Sequence, residues 1–265
     1  MLVFAAITPH PPIAIPSIGK ENLRYVAKTT TAFHQLAEEI YASQPDTIII
    51  ISPHGTMLQN AFTLNVVPQF SVDFKEFGDL TTAFTVLGDT GFSHHIKEGV
   101  ETQLPVVLAS QERLDHGVGV PLYFLTENLN REKTRVIPIS FSLLDLENHF
   151  KFGRALQDKI LNDTRRVAVI ASGDLSHRLS ETSPAGFSPA GKKFDDAILS
   201  LLYDNKIKEI LSFDRDIIEE AAECGLRSIV ILLGILNSIR SEIQVLSYEA
   251  PFGVGYLTAN FKIDN

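Results

Sequence analysis

An α/β fold, a single three-layer domain with a central, mostly parallel sheet flanked by helices, follows from three features of the chain. Two short runs, Thr47-Ile48-Ile49-Ile50-Ile51-Ser52 and Arg166-Val167-Ala168-Val169-Ile170-Ala171-Ser172, are apolar at nearly every position rather than at every second one. A strand that is apolar on both faces is covered on both faces, as at the centre of a parallel sheet, and β-branched residues suit a pleated strand better than a helix. Segments with apolar residues at helical spacing stand between such runs, and strand–helix–strand order is the pattern of a parallel sheet with helical crossovers. Both runs end in a turn that carries a histidine, Ser52-Pro53-His54-Gly55 and Gly173-Asp174-Leu175-Ser176-His177. Open α/β sheets bind their ligands at such strand ends.

Taken in order, residues 2–7 read as a first strand. It is stopped by Thr8-Pro9-His10-Pro11-Pro12, where three prolines in four positions exclude helix. Residues 22–43 place Tyr25, Phe33, Leu36, Ala37 and Ile40 at helical intervals. With the strand over 47–52 this forms a β-α-β unit whose crossover should be right-handed. Pro53 has no N–H for the ladder and Gly55 lets the chain turn. Residues 62–67 alternate as a strand, 72–91 read as loop and short helix, and 92–101 as a short helix. The stretch 114–122 is turn-rich and leads into a helix over 122–129. A strand over 135–139 and a helix over 144–161 precede the second apolar strand at 166–172. Helices follow over 189–203, 206–211 and 214–222, and 225–239 is apolar nearly all round, as a buried helix is. Strands over 244–248 and 255–261 close the chain around Pro251-Phe252-Gly253. No linker, low-complexity run or internal repeat divides residues 1–265, so one domain is expected.

Composition narrows the function classes. A hydrophobic content of 45% with 21% charged residues suits a globular protein with a large core. A formal charge of −9 argues against nucleic acid and anionic membranes, which both require a positive face. One cysteine, Cys224, excludes an internal disulfide framework and fits a reducing compartment. The apolar N-terminal stretch lacks the basic and long apolar regions of a secretory signal. The longest apolar run of the C-terminal half, 229–233, falls far short of the roughly 20 residues that span a bilayer. A soluble cytoplasmic protein is expected.

With the periodic segments set aside, polar residues remain at strand ends: His10, His54, His116 beside Asp115, and His177 beside Asp174. Glu223 and Cys224 precede the buried helix, and Glu249 ends a strand. His34, His94, His95 and His149 fall within helices and read as surface or packing residues. Neutral imidazoles with a carboxylate suit a divalent transition metal, and two histidines with one carboxylate suit non-haem Fe(II). Further histidines, with an ordinary pKa of about 6.5, can shuttle protons. Spacing alone does not select the ligands, because they come from separate strands rather than one helix. Asp174 and Asp115 can each orient a ligand histidine or cap a following turn; capping is expected of Asp174, and both roles stay open for Asp115. Tyr248 and the phenylalanines 70, 74, 77 and 84 read as packing.

The segments Thr8-Pro9-His10-Pro11-Pro12, Ser52-Pro53-His54, Leu114-Asp115-His116-Gly117-Val118-Gly119-Val120-Pro121-Leu122 and Gly173-Asp174-Leu175-Ser176-His177 resemble, in order and separation, the motif set of the class III extradiol dioxygenases, the LigB-type catalytic-subunit family. Glu223-Cys224-Gly225-Leu226-Arg227 and the stretch from Ser247 to Tyr256 resemble a bacterial branch related to Memo proteins. The resemblance implies ring opening of a catechol-like or aminophenol-like small aromatic by dioxygen at Fe(II). It implies His10 and His54 as metal ligands, Glu223 as the third, His177 as the acid–base histidine and His116 as a second histidine near dioxygen or a substrate hydroxyl. Cys224 and Glu249 are the competing third ligands, and a thiolate would favour copper or zinc over iron. The alternative implied is a Memo-like metal-binding or interaction protein without ring cleavage. Some members of the family work with a small partner subunit, and exposed sheet edges favour a homo-oligomer.

Overall fold

The structure is a computed structural model and describes residues 1–264. Its strands are β1 (Leu2–Thr8), β2 (Thr47–Ser52), β3 (Phe62–Asn65), β4 (Gln69–Phe74), β5 (Asp79–Gly88), β6 (Val106–Ala109), β7 (Arg135–Ser140), β8 (Val167–Ser172), β9 (Ser241–Glu249) and β10 (Tyr256–Ile263). Its helices are α1 (Pro16–Gly19), α2 (Ala27–Ser43), α3 (Thr90–Val100), α4 (His116–Leu125), α5 (Leu146–Leu161), α6 (Pro189–Tyr203), α7 (Ile207–Leu211), α8 (Arg215–Ala221) and α9 (Leu226–Ile235).

The strands form one sheet in the order β4-β5-β7-β2-β8-β1-β10-β9, with β3 on β7 and β6 on β3. The centre from β5 to β1 is parallel, and the closing strands β10 and β9 run antiparallel. The four isoleucines of β2 are fully buried. Ile49 and Ile51 face α3, α5, α6 and α9, whereas Ile48 and Ile50 face α2 and α4. Alternate side chains of one strand thus enter different layers, which is why the run carries no polar position. Among the described residues no helix is long and apolar enough to cross a membrane.

Three expectations change. The stretch expected as loop and short helix is the antiparallel pair β4–β5, joined through the 3-10 turn Lys75–Phe77; its mixed composition reflects strands buried on alternate residues, as Phe70, Val72 and Phe74 are. The segment after Leu114 turns helical at once, because the Asp115 side chain accepts the Val118 N–H and caps α4 ahead of His116. Pro121 sits inside that helix, and the Gly117 carbonyl that its missing N–H leaves free accepts the Ser172 hydroxyl instead. The helix expected over 22–43 is α2, which begins later, at Ala27, behind the short α1 and a 3-10 stretch over Lys20–Val26.

Between β1 and β2 in the sheet lies β8, parallel to both. Thr8 pairs with Ser172, and Ile51 pairs with Ala171, so the three strands end level. That register decides which loop residues can meet.

Candidate metal centre

His10, Asp174 and His54 each stand two residues beyond the last residue of β1, β8 and β2. Neighbouring strands are about 4.8 Å apart, so His10 and His54 reach toward each other across the end of β8. Their Nε2 atoms lie 3.1 Å apart, with the rings at 82°. His116, on the first turn of α4, lays its ring on that of His54 at 4.2 Å between centroids and 29°. The donor nitrogens of His10, His54 and His116 all lie within 4.8 Å of one another. His177 approaches from the β8 side, its Nε2 4.0 Å from Asp174 Oδ2.

Hydrogen bonds select the tautomers. The Ser172 hydroxyl donates to the Gly117 carbonyl at 2.5 Å, so its oxygen accepts from His10 Nδ1–H at 3.1 Å. The His10 Nε2 lone pair is therefore free and turned toward His54. Two lone pairs facing each other at 3.1 Å repel, so a proton or a cation must stand between them. His177 Nδ1 lies 3.1 Å from the Leu175 carbonyl, which can only accept, and this leaves His177 Nε2 unprotonated as well. Burial lowers the pKa of His10 well below its usual value, with His54, His116 and His177 adding repulsion. Burial likewise lowers His116 and His177. All three rings are neutral donors at neutral pH.

Asp174 does not cap. Its Oδ1 accepts the His10 backbone N–H at 2.9 Å, and its Oδ2 lies 3.7 Å from His10 Nε2. The capping reading fails because the chain after Asp174 runs as an irregular loop, with no helix until Pro189. Burial raises its carboxyl to about 7. Burial lowers the His10 imidazole too, so the contact between Asp174 and His10 is not a full ion pair.

Cys224 is held beside Asp174 by two bonds, its N–H to the Asp174 carbonyl and the Asp174 N–H to its Sγ, both at 3.2 Å. This approach needs Gly173, where a Cβ would stand 2.1 Å from the Gly225 Cα. Cys224 Sγ lies 3.7 Å from His10 Nε2, and burial pushes the thiol well above its usual pKa. Glu223 points elsewhere. Its Oε2 accepts the Leu226 N–H at 2.6 Å, and its Oε1 lies 3.8 Å from Arg227. Glu249 accepts from the N–H and hydroxyl of Thr29, each at 2.7 Å, and ties β9 to α2.

Of the two roles open to Asp115 the structure shows capping of α4; its carboxylate also accepts the Ser52 hydroxyl at 2.6 Å, and Ser52 Oγ accepts the His54 backbone N–H at 3.2 Å. A cleft of about 540 Å³ opens over His54 and His116, walled by Glu76, Gln111 and Arg113. Phe77 stands edge-on to His116 at 5.1 Å, while Phe70 and Phe74 are core. Another cavity, of about 460 Å³ between α6, α9 and β9, brings no histidine or cysteine together. His34, His94 and His95 are exposed on helices, and His149 is buried with both ring nitrogens on carbonyls. Sequence reasoning missed Ser172 and the contact of Asp174 with His10; for Asp174 the signal was its two-residue offset from a strand end, shared with His10 and His54.

Residues 4–259 match the family described as the catalytic LigB subunit of aromatic ring-opening dioxygenase. The chain is 35% identical over 260 residues to Protein CA_C1420 of Clostridium acetobutylicum, covering 94% of this chain and 55% of that protein. It is 27% identical over 188 residues to the 2,3-dihydroxyphenylpropionate/2,3-dihydroxicinnamic acid 1,2-dioxygenase of Photorhabdus laumondii, covering 67% of this chain and 56% of that one. The chain thus spans about half the length of these curated relatives. The crystal structure of the uncharacterized protein JW3007 from Escherichia coli K12 shares the fold, with a TM-score of 0.70 and 16% identity over 97% of this chain and 99% of that one. The chain belongs to the LigB family.

Proposed function

We propose that this LigB-family chain is a non-haem Fe(II)-dependent extradiol dioxygenase that opens the ring of a small catechol-like or aminophenol-like aromatic. The observation that carries this reading is the facing pair His10 Nε2 and His54 Nε2, 3.1 Å apart, with the unprotonated His177 Nε2 beside the same carboxylate as His10. The donor set fits a divalent ion. Donors about 2.1 Å from a common ion stand roughly 3 Å apart at a right angle and about 4 Å apart across it, and the imidazoles offer lone pairs rather than charge. The name of the Photorhabdus relative, a dioxygenase of a dihydroxyphenyl compound, supports the substrate class.

His10 and His54 would hold the ion, which supplies binding of adjacent ring heteroatoms and electron transfer to dioxygen when present. The chain does the rest. Burial keeps His177 unprotonated at neutral pH, so its Nε2 can take the proton of a ring hydroxyl and return it later. Because Nδ1–H is committed to the Leu175 carbonyl, the ring cannot turn away as it does so. His116 and Phe77 line the cleft on the other side, where an aromatic ring would lie. The same reading has the protein acting in the cytoplasm and self-associating along the β9 edge, where Val245 is exposed.

A second reading rests on Cys224, whose Sγ is as near to His10 Nε2 as Asp174 Oδ2 is. A Memo-like protein would use that thiolate for copper or zinc and would not cleave rings. Anaerobic loading with Fe(II), followed by catechols and aminophenols under air, tests the choice: one bound iron per chain and a yellow ring-opened product are expected. A protein that takes up copper or zinc, refuses iron and leaves every aromatic intact would overturn the dioxygenase reading.

A further inference from the structure

We infer that Asp195 is a positioning residue for His177, acting through the Leu175–Ser176 peptide, and that Tyr248 holds Asp195 in place. This rests on the proposed acid–base use of His177 and adds what aims its ring. Asp195 stands on α6 and Tyr248 near the end of β9, so two elements remote in sequence meet behind the loop that carries the histidine.

A trans peptide is planar, with its C=O and N–H pointing opposite ways. At one end of the Leu175–Ser176 unit, the Leu175 carbonyl lies 3.1 Å from His177 Nδ1. At the other end, Asp195 Oδ1 accepts the Ser176 N–H at 2.9 Å. The neighbouring peptides have backbone partners instead. The Leu175 N–H donates to the Gly255 carbonyl and the Gly255 N–H to the Ser176 carbonyl, each at 2.8 Å. The His177 N–H donates to the Ala221 carbonyl at 3.0 Å. The plane between them takes its direction from a side chain. Turning that plane would swing the Leu175 carbonyl off His177 Nδ1 and free the ring. A carboxylate on the N–H also polarises the peptide, which strengthens its carbonyl as an acceptor.

Asp195 is itself fixed. It is fully buried, and Tyr248, expected only to pack, donates its hydroxyl to Oδ2 at 2.6 Å. Gly255 makes the room, because a Cβ there would clash with Oδ2. Burial raises the carboxyl to about 6, while the Tyr248 and Ser176 donors pull it down. At neutral pH it is ionised and accepts at both oxygens. A charge buried this deeply is costly without such partners, and one of its two bonds leads to His177.

The test reads the His177 ring by nitrogen NMR in the metal-free full chain, for the wild type, Asp195→Ala, Asp195→Asn and Tyr248→Phe, each checked by its melting curve. The wild type should carry the His177 proton on Nδ1. Asp195→Ala should move much of it to Nε2. Asp195→Asn, whose amide oxygen can still accept the Ser176 N–H, should restore the Nδ1 form. In iron-loaded protein, kcat for ring opening should fall about 10- to 100-fold in Asp195→Ala, the usual effect of losing a supporting partner. It should fall about 2- to 10-fold in Tyr248→Phe, the worth of one hydrogen bond. KM and iron content should stay as in the wild type. Should Asp195→Ala fail to fold, the wild-type proton position and Tyr248→Phe decide. A wild-type proton on Nε2, a folded Asp195→Ala with wild-type tautomer and kcat, an unchanged Tyr248→Phe, or iron lost in step with kcat overturns the assignment. Full activity in His177→Ala would instead sink the underlying reading of that histidine, while the tautomer measurement still tests the hold of Asp195 on its ring.

Discussion

His10 Nε2 and His54 Nε2 meet at 3.1 Å although a whole strand, β8, separates the strands that deliver them. The meeting is possible because all three strands stop at the same level and each imidazole leans over the middle one. Ser172, the last residue of that middle strand, holds His10 in the tautomer that faces His54. The consequences can each be measured.

Ser172→Ala removes the oxygen that accepts from His10 Nδ1–H. The ring can then place its proton on Nε2, where it blocks donation to a metal. Metal affinity should fall about 10- to 100-fold, the usual effect of losing a partner of a ligand histidine. Competition against a chelating dye reads this directly, and an unchanged affinity would refute the tautomer argument.

His177→Ala should leave metal content untouched and slow ring opening by about 10² to 10⁴-fold, the ordinary worth of a positioned acid–base group. Turnover and iron stoichiometry measured on the same sample separate the two effects. Loss of iron together with activity would make His177 a ligand.

Glu223 carries a carboxyl that burial raises to about 7 from an unfolded value near 4.5. A group whose folded pKa is the higher one stabilises the fold below its unfolded pKa, and that stability is lost as pH rises through the folded value. Glu223→Gln keeps an acceptor for the Leu226 N–H without the charge. In metal-free protein the variant should therefore gain on the wild type by about 2–3 kcal/mol between pH 5 and pH 8. Urea unfolding across that range measures the gap; a constant difference would mean Glu223 stays ionised.

Gly173→Ala would force a methyl group to within 2.1 Å of the Gly225 Cα. Backbone meets backbone there, so the loop bearing Cys224 must move off the loop bearing Asp174. A loss of about 1–3 kcal/mol is expected, with weaker metal binding, both seen in thermal melts with and without metal. An unchanged melt would show that the two loops can part freely.

Much of this was legible in the chain. The unbroken apolar runs of β2 and β8 predicted a doubly covered parallel sheet, because a strand with no polar position has no face to turn to water. Proline and glycine after β1 and β2 marked strand ends, and the histidines placed there are the ones that converge. The hairpin β4–β5 was not legible, since its half-buried alternation is broken by the exposed 3-10 turn between its strands.

The sequence by itself determined the sheet class, the family likeness and which histidines stand at strand ends. Only the tertiary structure decided that β8 lies between β1 and β2, that Asp174 turns to the His10 N–H, and that Glu223 turns to the start of α9. Local sequence sets where a strand stops, but lateral strand order and register arise from contacts between residues more than a hundred positions apart. A carboxylate's direction is settled by whichever donors that packing brings to it: the His10 N–H for Asp174, the Leu226 N–H for Glu223.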